Sequence, residues 1–93
     1  MSYQVAWTST FKKDYKRAIK QHRPIEKLDD IIRALSRGEA LKDQNRDHAL
    51  TGSWIGFREC HIEPDWLLIY RKDKSVLVLT LVRTGSHSDL FSK

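Results

Sequence analysis

Midway along this chain the spacing of apolar residues changes from a helical to a strand period, and that change restricts the fold more than any other feature. Between Phe11 and Leu35 the apolar side chains recur at helical intervals; from Trp54 to Val82 they alternate or run together, as in strands. A short alternating stretch, Tyr3, Val5 and Trp7, precedes both. Helices followed by strands, after one opening strand, predict an α+β layer architecture rather than alternating β/α units.

Thr8, Ser9 and Thr10 offer N-cap hydroxyls for a first helix. In it Phe11, Tyr15, Ala18, Ile19 and His22 fall on one side, and Lys12, Lys13, Lys16, Arg17, Lys20 and Arg23 on the other. His22 reads as a structural residue near the end of this helix. Pro24 suits the first turn of a second helix, along which Ile25, Leu28, Ile31, Ile32 and Leu35 recur until Gly38. The pair is expected to form a hairpin.

Residues 39 to 47 have no period and read as a mobile connection. Beyond Trp54, Phe57, Glu59, His61 and Glu63 alternate with Arg58, Cys60 and Ile62, and Pro64-Asp65 makes a turn. Two apolar runs, Trp66 to Tyr70 and Val76 to Val82, then predict strands in the middle of a sheet, with Arg71 to Ser75 as the hairpin loop. The expected order is βααβββ: a small, twisted, mostly antiparallel sheet with the helix hairpin on one face. After Arg83 the chain is expected to leave the sheet through Thr84-Gly85-Ser86 and carry His87 and Phe91 across its end.

Ninety-three residues suffice for one domain, residues 1–93, with one core. Seventeen Lys and Arg against twelve Asp and Glu give a charge of +5, which points to an anionic partner. The single Cys60 excludes an internal disulfide and reads as a small core residue in a reducing, cytoplasmic setting. No apolar run approaches the ~18 residues that cross a bilayer, and Met1-Ser-Tyr-Gln-Val lacks signal-peptide character, so no membrane partner is expected.

The chemistry concentrates in two stretches. His48 precedes the sheet, His61 lies on its second strand, Asp65 follows in the turn, and Arg83 and His87 flank the end of the last strand. Imidazoles beside a carboxylate and a guanidinium are the parts needed to break RNA. The 2′-OH requires a general base, the 5′-oxygen an acid and the phosphorane a cation. Histidine, with an unperturbed pKa of about 6.5, serves as either acid or base, and Asp65 can orient an imidazole or accept the proton.

Arg83 is equally suited to a phosphate or to a salt bridge with Glu59 or Asp65. Trp66 and Phe91 flank the histidines and can stack on bases or pack in the core. Lys12, Lys16 and Lys20 form either a solvated helix face or an RNA-binding stripe. No HxxxH, CxxC or HxH spacing and no phosphate-binding glycine loop occurs, so neither metal nor cofactor is expected.

Leu50-Thr-Gly-Ser-Trp54, the run from Arg58 to Trp66, Ile69-Tyr70 and the tail Arg83-Thr-Gly-Ser-His87 with Phe91 resemble the YafQ branch of the RelE/ParE toxin superfamily over essentially the whole chain. Glu59 and Cys60 depart from the family pattern, standing where a relative has Asp and Ala. The resemblance implies a type II toxin: a ribosome-dependent mRNA endonuclease that is held inactive by a cognate antitoxin and binds operator DNA only together with it. It implies His48, His61, Asp65 and His87 as the acid/base set, with His87 as general acid and His61 with Asp65 activating the 2′-OH. Arg83 would hold the phosphate, with Trp66 and Phe91 beside the bases. The superfamily leaves a non-enzymatic, ParE-like inhibitor of DNA gyrase as the alternative, and composition leaves a basic RNA-binding module.

Overall fold

Thr8 closes one element and opens the next. Strand β1 (Gln4–Trp7) ends against it, and helix α1 (Ser9–Lys20) begins with the Thr8 hydroxyl accepting the Phe11 amide at 3.0 Å. The same hydroxyl donates to Val82 O at 3.1 Å, which pins the start of the helix to the last strand. The computed structural model describes residues 2–91.

Both long helices stop in the same way. Gly38 (φ 75°) follows α2 (Ile25–Ser36), and the amides of Gly38 and Glu39 return to Leu35 O and Ala34 O in a Schellman pattern. After α1 the left-handed position is His22 (φ 59°), with its amide and that of Arg23 returning to Ile19 O and Ala18 O. His22 is therefore an exposed C-terminal stop, not a residue on the apolar side of the helix. Pro24 is the N-cap of α2 rather than part of its first turn. The Tyr15 hydroxyl donates to Asp29 Oδ1 at 2.8 Å across the hairpin, and burial together with this carboxylate raises the phenol pKa to about 12.

The sheet holds β2 (His48–Ala49), β3 (Arg58–Glu63), β4 (Trp66–Asp73) and β5 (Val78–Gly85), with strand order β1-β5-β4-β3-β2. All neighbours are antiparallel except β1 and β5, which run parallel. The apolar run of β4 occupies the middle, as its composition requires. The second apolar run is shifted: Val76 and Leu77 lie in the β4–β5 turn, Val76 exposed and Leu77 at φ 55°, while Asp73 Oδ1 accepts from Ser75 to hold that turn. At its other end β5 continues through Thr84 and Gly85, so the chain leaves the sheet at Ser86. Strand β2 and the short helix α3 (His87–Phe91) are additions to the expected order.

Helices and sheet enclose Phe11, Ala18, Leu28, Leu35, Cys60, Trp66, Leu68, Tyr70, Leu79 and Leu81. Each large apolar side chain fully withdrawn from water contributes roughly 1.5–3 kcal/mol. Helix α1 is rotated from the face its apolar residues define: Asp14 is buried and Ile19 is half exposed. Arg17 and Arg23 turn inward, towards Asp14 and over the Trp66 ring, so the outward stripe is Lys12, Lys13, Lys16 and Lys20. No helix among the described residues is long and apolar enough to cross a membrane.

Two β-bulges lie at one end of the sheet and decide which side chains meet there. In β3, Ile62 is the extra residue between the pairs His61↔Leu67 and Glu63↔Trp66. Partners share a face, so Glu63 is turned from the side of His61 to the helix side, where it meets Lys27 Nζ at 3.1 Å. In β5, Val82 is extra between Tyr70↔Leu81 and Ile69↔Arg83. Arg83 therefore does not continue the side of Leu79 and Leu81; its backbone faces the other way, in one row with Ile69, Glu59 and His48.

Candidate active site

The row across the sheet begins at β2, whose two residues pair His48 with Glu59 and Ala49 with Arg58. The connection before it is ordered, not loose. Arg46 takes a left-handed conformation (φ 48°), and Asp47 Oδ1 accepts from the Tyr70 hydroxyl at 2.5 Å and from Arg58 Nε at 3.3 Å. Burial and this carboxylate push the Tyr70 phenol well above its ordinary value, so it remains a donor. Asn45 Nδ2 also donates to His61 O at 2.8 Å, and the Arg46 carbonyl meets His48 Nδ1 at 2.6 Å. One short segment thus locates two of the histidines.

His48 and His61 converge on Glu59. Its Oε1 lies 3.6 Å from His48 Nε2 and 3.7 Å from His61 Nε2, an ion-pairing distance longer than a hydrogen bond, and the residue is only 6% exposed. His61 Nδ1 faces Pro64 O at 3.2 Å. A carbonyl can only accept, so Nδ1 carries the hydrogen in both rings, leaving Nε2 of each as the atom that can take a proton.

His87 opens α3. Ser86 and Asp89 hold that helix by a reciprocal pair, Ser86 N to Asp89 Oδ2 at 3.0 Å and Asp89 N to Ser86 Oγ at 3.1 Å, which is a capping box. Asp65 Oδ1 accepts from the His87 amide at 2.9 Å and from its Nδ1 at 2.6 Å. These two bonds hold the Asp65 carboxyl below the usual carboxylate range, and the His87 Nε2 has no partner among the described residues. The His61 and His87 rings stand 5.7 Å apart, centroid to centroid, inclined at 57°.

The pairing of Asp65 with His61 is therefore corrected: Asp65 serves His87, and Glu59 is the acid beside His61. The salt bridge with Glu59 or Asp65, one of the two alternatives for Arg83, does not form. Arg83 donates to Asp14 through Nε at 2.7 Å and Nη2 at 3.2 Å, and this carboxylate raises the guanidinium pKa further. Trp66 cannot stack on a base from this position, because it is fully buried in the core under the Arg23 guanidinium. The tryptophan beside Phe91 is Trp54, edge-on at 6.1 Å, with Phe57 behind it at 5.6 Å. Phe91 is 37% exposed.

Lys12, Lys16 and Lys20 lie on α1, which packs along β5, while the histidines gather towards the β2 edge and the β3–β4 turn. Among the described residues no group of three or more His, Cys, Asp and Glu side chains is arranged to hold a metal ion. Sequence reasoning missed Glu59 and Trp54 as site residues. Glu59 shares the face of His61 by simple alternation, and Ser86-His-Ser-Asp89 carried the capping-box signal for α3.

Known proteins share this fold and much of this sequence. Residues 3–92 match the family model described as the bacterial toxin of a type II toxin-antitoxin system, YafQ. The chain is 39% identical over 89 residues to the mRNA interferase toxin YafQ of Escherichia coli K12, covering 94% of each sequence. It superposes on the toxin of the E. coli DinJ-YafQ toxin-antitoxin complex with a TM-score of 0.89, at 36% identity, covering 98% of this chain and 99% of the other. A metal-bound toxin from Helicobacter pylori gives 0.90 at 37% identity, covering 98% of this chain and 100% of the other. With the family model spanning nearly the whole length, the chain belongs to the YafQ family of bacterial type II toxins.

Proposed function

We propose that this toxin cleaves mRNA on the translating ribosome by attack of the ribose 2′-OH on the adjacent phosphorus. The observation that carries the reading is the facing pair His61 and His87. Each ring is fixed through Nδ1, by Pro64 O and Asp65 Oδ1, and keeps Nε2 for a proton. Rings 5.7 Å apart can address the two oxygens of one phosphodiester.

His61 takes the 2′-OH proton at Nε2, and Glu59 stabilises the positive charge that develops there. His48 stands on the other side of the same carboxylate and supports it. His87, oriented by Asp65, gives a proton to the departing 5′-oxygen. Arg83 meets the charge on the phosphorane. The products are a 2′,3′-cyclic phosphate and a 5′-OH end. Phe91 and Trp54 offer the aromatic edge on which a neighbouring base rests, and Lys12, Lys16 and Lys20 face the ribosomal RNA.

In this reading cleavage needs no metal. The toxin is held by a cognate antitoxin, as YafQ is by DinJ, and reaches operator DNA only in that complex. Purified protein added to translating ribosomes should yield mRNA fragments with 5′-OH ends, with and without EDTA. His87→Gln should lower the rate by about 10²–10⁴-fold. Intact message with the wild-type protein, or full cleavage by His87→Gln, would refute the reading. Loss of cleavage on adding EDTA would overturn its metal-free part.

A further inference from the structure

Asp14 interrupts the lysine row of α1, yet its side chain is not on the surface: it is 3% exposed and accepts four hydrogen bonds. Oδ2 accepts from Arg83 Nε at 2.7 Å and the Thr84 amide at 3.2 Å; Oδ1 accepts from Arg83 Nη2 and Arg17 Nη2, both at 3.2 Å. Burying a carboxylate in so small a domain is costly even when it is paired, and apolar packing of the same volume commonly serves stability better. The benefit has to be sought in what the pair orients.

A guanidinium has two donor edges, Nε with Nη2 and Nη1 with Nη2. Asp14 occupies the first edge of Arg83 completely. Among the described residues, both hydrogens on Nη1 and the second on Nη2 meet no acceptor, and the Arg83 side chain is 28% exposed. We propose that Asp14 is a positioning residue for RNA cleavage: by clamping Arg83 through its Nε/Nη2 edge, it fixes the Nη1/Nη2 edge as the fork offered to the scissile phosphate.

This rests on the phosphate role of Arg83 given above and assigns that residue its orienting partner. The network also extends to the general acid. Arg17 bridges Asp14 to Asp89 at 3.8 Å, and Asp89 caps the helix that carries His87. Arg17 and Arg83 are balanced by Asp14 and Asp89, so the cluster adds no net charge to attract RNA. What it supplies is direction, which acts on the transition state rather than on binding.

The test is a double-mutant cycle on cleavage of ribosome-bound mRNA, with rates taken at limiting and saturating substrate and folding followed by thermal melting. Arg83→Gln should lower the saturated rate by about 10²-fold. Asp14→Asn should lower it by about tenfold with KM unchanged or reduced, because removing the acid leaves more positive charge but an unaimed fork. Added to Arg83→Gln, Asp14→Asn should cost less than about twofold.

An undiminished Asp14→Asn effect in the Arg83→Gln background would overturn the proposal while leaving the phosphate role of Arg83 intact. Wild-type cleavage by Arg83→Gln would overturn both. Should Asp14→Asn fail to fold, Arg83→Lys decides. Lysine keeps the ion pair with Asp14 but presents no fork, so a rate at least about tenfold lower supports the proposal and a wild-type rate overturns it.

Discussion

Replacing Trp66 by phenylalanine separates a residue that supports the fold from one that touches RNA. The ring is fully buried, and its Nε1–H meets no acceptor among the described residues. Trp66→Phe removes roughly 40 Å³, which leaves a cavity costing about 1 kcal/mol, and the lost apolar transfer adds about another 1 kcal/mol. Weakening the contact with Arg23, whose guanidinium lies 5.4 Å from the ring centroid, adds about 0.5 kcal/mol.

Against this total, deleting a buried N–H that lacks an acceptor recovers about 1–3 kcal/mol. The variant should therefore lie within about 1.5 kcal/mol of the wild type. Trp66→Ala, which gives up the whole ring, should cost about 3–5 kcal/mol and lower Tm by more than about 12 °C. Thermal melting monitored by circular dichroism, run beside the mRNA cleavage assay, checks both. Trp66→Phe should keep cleavage within about twofold. A variant that melts like the wild type but cleaves about tenfold more slowly would show that the ring acts on RNA, and the core assignment would be wrong.

Four further outcomes follow from the geometry. His22→Gly relieves a left-handed residue at the end of α1 and should raise stability by up to about 1 kcal/mol, read as a Tm gain, the relief being partly offset by glycine's greater freedom when unfolded. Gly85→Ala would place a Cβ 2.9 Å from the Asp89 Cβ and 3.0 Å from its Oδ2, so α3 must move and take His87 with it; cleavage should fall on the order of 100-fold in a protein that still melts cooperatively. Burial pushes the Cys60 thiol far above its ordinary value, so a thiol reagent at pH 8 should label it only at the rate of unfolding. The Asp65 pKa is depressed in the folded state, so its share in docking α3 is complete above about pH 4 and is lost as pH falls through the lower folded value. The His87 amide resonance should report this, and Asp65→Asn should abolish the transition.

Much of the architecture was legible because each element carried a local cause. The period change separated helices from strands, Thr8 and Gly38 marked helix ends, and the unbroken apolar run of Trp66 to Tyr70 required a central strand. The start of β5 two residues late was harder to read, since Val76 and Leu77 are apolar but follow the Asp73–Ser75 turn directly. The burial of Asp14 was not legible, because a carboxylate on an amphipathic helix is withdrawn from water only where a partner meets it. Its partner, Arg83, is 69 residues away in sequence.

The sequence by itself determined that three histidines, an aspartate and an arginine belong to one end of a small α+β sheet, because strand order and turn positions follow from local pattern. Only the tertiary structure decided which of them meet. The bulges at Ile62 and Val82 break the alternation that would have kept Glu63 beside His61 and Arg83 beside Leu81, and a bulge depends on how two strands pair, not on either strand alone. The pairing of Asp65 with His87, the convergence of His48 and His61 on Glu59, and the clamp of Asp14 on Arg83 are contacts between distant segments, fixed when the helices and strands pack.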